Sequence, residues 1–354
     1  MMRTALRTSN RQRGLSLIEL MIALFLGGLL IVSVSSVYLG SRQSFRQTDA
    51  LARMQENARY AFEAMSVDIR QAGFTGCAAT SKTYSSLNGT DWYNALATQP
   101  LAGYESGASL PADVTGALAG TDALSVLRAD NNSRYLVANH DGPSAQFQLT
   151  ANHDLKEGEI LTVVPPDCSK AVVFQMTNVN SSNTIDVVVH NTGTGAPGNS
   201  TKCLDDPLSA LCTGAPSGYP SLPADSRILR MSGHIYFVGT NGNGQPAIYR
   251  EVLSASGGAA TATAEELVEG VENMQILFGE DTNTDQSVDT YVTADAVTLW
   301  ANVLAVRVSL LMRTVEDGVV SQTQSVSFNG ATVTPTDRRL RKVFTMTFAV
   351  RNRI

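Results

Sequence analysis

Residues 15–39 read LSLIELMIALFLGGLLIVSVSSVYL, and the rest of the chain is organised around that run. As a helix, at about 1.5 Å per residue, it is long enough to cross a bilayer core of roughly 30 Å. One charge, Glu19, interrupts it. Arg3, Arg7, Arg11 and Arg13 come before it and no arginine follows until Arg42. The positive-inside rule then puts residue 1 in the cytoplasm and the body across the membrane. A secretory signal peptide has the same basic start, but its apolar core is roughly 7 to 15 residues and ends at a small-residue cleavage site. This run is longer, and residues 33–36 make a weak site. A plain anchor explains the length and leaves the carboxylate without a purpose, since a charge inside a membrane costs a few kcal/mol at mid-depth and less near the edge.

The residues around that acid carry a resemblance. Arg13-Gly14, followed by Leu15-Ser16-Leu17-Ile18-Glu19-Leu20, resembles the type III signal of type IV prepilins and type II secretion pseudopilins. The resemblance implies that prepilin peptidase cuts between Gly14 and Leu15 on the cytoplasmic side, leaves the apolar helix on the mature chain and methylates the new Leu15 amine. The chemistry is coherent: a cationic amine and the Glu19 carboxylate are each costly in an apolar filament core unless they neutralise one another, within or between subunits. The chain departs from the commonest pattern in having leucine rather than phenylalanine after the cut. It also lacks the proline that many major pilins carry in this helix, and Gly27-Gly28, Ser33, Ser35 and Ser36 are softer points in its place.

Beyond Gly40 the apolar residues become periodic. Leu51, Met54, Ala58, Ala61, Met65 and Ile69 recur at steps of three and four, with Arg53, Glu56, Arg59, Glu63 and Arg70 mostly off the stripe. This predicts an amphipathic continuation of the membrane helix, one helix over residues 16–71, stopped by Gly73 and Gly76. Arg59, Asp68 and Arg70 are assigned to helix ends and surface pairs. The segment QENARYAFEAMSVDIRQAGFTGC, residues 55–77, resembles the link between helix and globular domain in PilW-type minor pilins.

The remainder is rich in Ser, Thr, Asn, Gly and Val, and its short alternating runs predict strands at 124–127, 135–138, 160–164, 171–175 and 185–189. Runs at 234–238 and 247–251 flank Asn241-Gly242-Asn243-Gly244, residues that accept positive φ and predict a hairpin. No Lys-Ser/Thr follows that turn and a strand comes next, which excludes a phosphate loop. Residues 303–313 and 343–351 predict long neighbouring strands across the polar stretch 316–341. The block 265–278, the Trp300 run, Arg338-Arg339-Leu340-Arg341 and the closing strand are similar to the C-terminal half of the PilW family. The arginine cluster reads as solvated surface or as a face for an acidic neighbour. Residues 193–226, with five prolines, predict an exposed excursion.

Composition bounds the function classes. The chain has 354 residues, 43% hydrophobic and 16% charged, which is globular. Without its four leader arginines it keeps 22 basic against 32 acidic side chains, a net charge of about −10, which disfavours nonspecific nucleic-acid binding. Cys77, Cys168, Cys203 and Cys212 are an even count behind an export signal, and disulfides are favoured over zinc because no C-x-x-C spacing and no neighbouring histidine occurs. Loop closure favours Cys203 with Cys212, which leaves Cys77 with Cys168. Asp281, Asn283, Asp285, Ser287 and Asp289 have the alternating spacing with which a calcium loop begins. Gln286 stands where glycine is needed and Val292 where a bidentate carboxylate is needed, so a polar hairpin turn competes with calcium as the only cofactor considered. His140, His153, His190 and His234 show no ligand spacing, and no G-x-S-x-G occurs, so no catalytic residues are assigned.

The expected protein is α+β: a leader at 1–14, a transmembrane and filament-core helix at 15–40, its amphipathic continuation at 41–76, and a β-rich pilin-like globular domain at 77–354. The resemblance implies a minor pilin that primes type IV pilus assembly, with other minor pilins, a PilY-type tip adhesin, prepilin peptidase and the inner membrane as partners. It implies a periplasmic body that later reaches the pilus tip. A J-type pseudopilin of type II secretion, or a membrane-anchored periplasmic binding protein or enzyme, are the alternatives.

Overall fold

The computed structural model describes residues 16–77, 82–106, 108, 110–150, 153–182, 185–193, 195–214 and 218–351. Helix α1 runs without interruption over Leu17–Gln71, 55 residues. Ser16 is its N-cap, with extended backbone, and Glu19 completes a capping box. The helix ends where Gly73 takes φ +76°, and the chain then turns into the body through hydrogen bonds from Gly73 N to Leu127 O and from Ala129 N to Phe74 O.

Among the described residues seventeen strands follow. β1 (Lys82–Ser85), β2 (Leu101–Tyr104), β3 (Ala123–Asp141), β4 (Gln146–Leu149), β5 (Ile160–Val164), β6 (Lys170–Gln175), β7 (Asn178–Ser182) and β8 (Ile185–Val189) precede a single-turn helix α2 (Ala210–Thr213). After it come β9 (Arg227–Thr240), β10 (Pro246–Ser256), β11 (Ala259–Glu269), β12 (Val271–Glu280), β13 (Thr290–Val292), β14 (Val303–Arg313), β15 (Val326–Phe328), β16 (Ala331–Val333) and β17 (Arg341–Ala349).

Strand β9 organises the larger, 11-stranded sheet. One side of it pairs with β3, from Leu136↔Arg227 to Leu124↔Tyr236; the other pairs first with β5 and then, from His234 onward, with β10. The runs at 124–127 and 135–138 belong to one strand, β3, with a register shift between Ala129 and Arg134 where the polar Asp130-Asn131-Asn132 sequence interrupts the alternation. The Asn241 turn joins β9 to β10, and the Asn241 side-chain oxygen accepts from the N–H groups of Asn243 and Gln245. A second sheet, of four strands, has the order β13-β12-β14-β17, with β14 and β17 paired from Ala305↔Ala349 to Arg313↔Arg341, and β15 pairs with β16 in a separate two-stranded ribbon. Gly270 lets the chain cross from one sheet to the other: at φ +83°, an added Cβ there would lie 2.6 Å from the Arg313 carbonyl oxygen.

The largest core joins the helix to both sheets, with Met54, Ala58, Phe62, Met65 and Ile69 against Leu124, Tyr236, Ile248, Met274, Val308 and Phe348. Disulfides join Cys77 to Cys168, 91 residues apart, and Cys203 to Cys212, nine apart. Closing such loops is worth about 4.5 and roughly 2.5–3 kcal/mol. The 193–226 stretch is less of an excursion than its prolines predict. Asn199 is buried and exchanges hydrogen bonds with the Gln175 backbone at 2.7 and 2.8 Å, and Leu204 is buried; the tip, with Leu208 89% exposed, projects.

Candidate assembly site

The site begins at the helix start. Ser16 N–H donates to Glu19 Oε2 at 2.9 Å and Glu19 N–H donates to Ser16 Oγ at 3.2 Å, so the carboxylate is folded back on the first residue of its own helix. Gly14 and Leu15 lie outside the described residues. From Leu17 to Leu39 the large apolar side chains are bare, with Leu17 75%, Phe25 67% and Leu39 61% exposed. This is the one described helix that is long and apolar enough to cross a membrane. The chain stays helical through Gly27-Gly28, and Ser33 and Ser36 satisfy their hydroxyls on the Leu29 and Ser33 carbonyls. A contiguous apolar surface this large is stable only when lipid or other helices cover it.

From Met54 onward the same helix is docked on the body, and the structure corrects the reading of Asp68. It is not part of a surface pair. It is 3% exposed, and its carboxylate receives Arg128 Nε at 3.1 Å, His234 Nδ1 at 2.6 Å and the Tyr236 hydroxyl at 2.5 Å. Burial alone pushes the Asp68 pKa up; the His234 hydrogen bond and charge, then Tyr236 and Arg128, outweigh it and hold the group below the ordinary carboxylate value. Tyr236 is pushed well above the ordinary phenol value by burial and by the charge of Asp68. A signal for this was present in the sequence: residue 68 is three positions after Met65 and one before Ile69, on the apolar face of the helix.

The arginine cluster at 338–341 is divided: Arg338 is exposed, Arg339 is half-buried and Arg341 is internal. Arg341 is 6% exposed and binds Glu272 through Nε at 2.6 Å and Nη2 at 3.0 Å, with Asp337 on its other side. Arg339 caps the carbonyls of Thr314 and Val315. That loop continues to Val319, whose carbonyl accepts from Gln43 Nε2 of the helix at 2.5 Å.

The other candidates have structural partners. The 281–289 segment is the turn between β12 and β13. Asp281 accepts from the backbone of Asn283, Thr284 and Gln286, and Asp289 accepts from Thr282 and Asn283, so both carboxylates are engaged by the turn itself. Among the described residues no group of three or more His, Cys, Asp or Glu side chains is placed to hold a metal. His140 and His190 face each other with Nε2 atoms 3.1 Å apart. His140 Nδ1 accepts the Leu222 N–H at 2.8 Å, so its proton sits on Nε2 and is donated to His190. Burial lowers the His140 pKa to about 4, opposed by Asp141 and reinforced by Lys170, and lowers that of His190 well below the ordinary value.

Two comparisons with known families match this chain. Residues 235–352 match the profile described as type IV pilus-assembly protein W, and residues 9–35 match the prokaryotic N-terminal methylation motif. The first match covers strands β10 to β17 with the end of β9; the second covers Gly14, Leu15 and Glu19. No curated protein and no solved structure matches the chain.

Proposed function

We propose that the chain, similar to type IV pilus-assembly protein W over residues 235–352 and to the prokaryotic N-terminal methylation motif over residues 9–35, is a minor pilin of that family, is cut by prepilin peptidase between Gly14 and Leu15, and helps to prime pilus assembly within the tip complex. At the coarser level it is a membrane-anchored minor pilin, an assembly component of the pilus. The observation that carries the proposal is the bare helix bearing one acid, Glu19, two residues inside its start.

Cleavage creates an ammonium at Leu15, beside the helix start on which the Glu19 carboxylate is folded back. Each charge disfavours an apolar filament core; paired, they are tolerated there. The helix then exchanges lipid contacts for packing against other pilin helices, with small residues such as Gly27 and Gly28 allowing close approach. In this reading the body lies in the periplasm, its immediate neighbours are other minor pilins and a PilY-type adhesin, and the protein ends at the pilus tip. A J-type pseudopilin of type II secretion shares the helix logic, but the match over residues 235–352 favours the pilus. A tethered periplasmic enzyme or binding protein has no use for Glu19.

Two measurements test the proposal. N-terminal sequencing of the membrane-extracted mature protein is expected to start at Leu15, and a start near Val37 would mean ordinary secretion. Deletion of the gene is expected to abolish twitching and to spare exoprotein secretion; the reverse pattern assigns the chain to the secretion system.

A further inference from the structure

The buried face of α1 consists of Met54, Ala58, Ala61, Phe62, Met65, Asp68 and Ile69. Six of these seven are apolar, and they recur at steps of three and four. If the helix slid by one turn, about 5.4 Å, most apolar residues would enter a place previously held by another: with an advance of four, Met54, Ala58, Ala61 and Met65 take the places of Ala58, Phe62, Met65 and Ile69. Alanine is small and methionine adapts to irregular gaps, so burial discriminates weakly between the two positions. Asp68 breaks that degeneracy. A slide brings its carboxylate to the level of Met65 or Ala72, both fully buried, and leaves Arg128, His234 and Tyr236 without their acceptor.

The three donors come from the centre of the large sheet. His234 and Tyr236 are alternate residues of β9 and share one face of it, and Arg128 is on the adjacent strand β3. The Tyr236 hydroxyl also lies 3.2 Å from the Ala64 carbonyl, so the sheet contacts the helix backbone one turn before the acid.

We propose that Asp68 is a positioning residue that sets the axial register of α1 on the body through Arg128, His234 and Tyr236, so that a pull along the helix is delivered to the sheet at one defined level. Without it, the load passes to the apolar contacts and to the short turn over residues 72–77. A polar residue in an otherwise apolar interface selects one alignment among several of similar burial, as a buried polar position does in paired helices.

The test reads register directly on the full-length protein extracted in detergent, and is independent of whether the chain builds pili. Nitroxide labels go on the exposed positions Tyr60 of the helix and Met346 of β17, as Tyr60→Cys and Met346→Cys. Pulsed electron–electron resonance is expected to give one narrow distance with Asp68 present. Asp68→Leu completes the apolar stripe and is expected to add a second distance displaced by about one turn, ~5 Å. Asp68→Asn, which keeps an oxygen acceptor in place, is expected to restore the single distance. If Asp68→Leu retains one unshifted distance, the apolar contacts and the 72–77 turn suffice and the proposal is overturned. Should Asp68→Leu fail to fold, His234→Phe with Tyr236→Phe removes two of the three donors from the sheet side at similar ring volume. That pair is held to the same two outcomes.

Discussion

The two ends of α1 treat an acid in opposite ways. Glu19 stands on a helix surface where every large apolar neighbour is bare, and its contacts are with Ser16 of the same helix. Asp68, in the same uninterrupted helix, is sealed in the core and held by three side chains of the sheet. The apolar residues divide in the same way: Phe25 is 67% exposed and Phe62 is 4% exposed. The docked end is satisfied by its own body and serves stability. Among the described residues nothing packs on the apolar side chains of the bare end, so their cover must come from a membrane or from other chains. Asp68 is tied to the sheet and is part of the fold; Glu19 is tied to the first turn of its own helix, and in the proposed reading it serves assembly.

Three experiments break or sharpen that contrast. The largest effect is expected from Glu19→Ala: the protein disappears from sheared pili while the unfolding midpoint of the body stays at its wild-type value. Normal incorporation of this variant would remove the distinction between the two ends. Asp68→Ala is expected to act on the other quantity, lowering body stability by about 3–5 kcal/mol because three buried donors lose their acceptor. Denaturant unfolding of the purified chain reads it, and a loss below about 1 kcal/mol would place the Asp68 cluster with ordinary surface pairs.

The smallest effect is a pH dependence confined to the body. His140 and His190 are held neutral, with folded pKa values below the ordinary 6.5. Their contribution is fully present above about pH 6.5 and is lost as pH falls toward 4, at up to about 1.4 kcal/mol per pH unit for each proton taken up on unfolding. Asp122 works in the opposite sense. Burial, with Glu105 and Asp295 nearby, raises its pKa to about 6, so the fold gains stability as pH falls from 6 toward its ordinary value of 3.8. Asp122→Asn is therefore expected to steepen the acid loss, and His140→Asn to flatten it. Helicity of the bare end is expected to stay constant across the same range, as followed by circular dichroism in detergent.

Much of this architecture is legible from local rules. An apolar run with one acid, a stripe at steps of three and four, and an Asn-Gly-Asn-Gly turn between alternating runs each specify their element without reference to the rest of the chain. The long pair β14 and β17 is legible from alternation alone. What escapes is whatever depends on a partner far along the chain. Asp68 looks like a surface residue until β3 and β9 supply its donors, and Arg341 looks solvated until Glu272 and Asp337 close on it. The long strand β3 reads as two because Asp130-Asn131-Asn132 resembles a loop, although the chain pairs with the same strand β9 on both sides of it, up to Ala129 and again from Arg134. Asn199 and the buried part of the 193–226 stretch escape for the same reason: prolines predict an excursion, and only the partner strand β6 shows that its backbone is stitched down.

Phe62 of the helix and Phe348 of β17 have ring centroids 6.2 Å apart, although one leaves the ribosome near the start of synthesis and the other near residue 350. Translation proceeds at about 5–20 residues per second, so the body-facing side of the helix stays incompletely covered for many seconds before β17 exists. The seat for the helix is therefore assembled strand by strand, with β3 and β9 available long before β17. A product that stops short of β17 leaves Phe62 without the Phe348 ring and that part of the helix face open, so the last strand is a check on whether the subunit is whole.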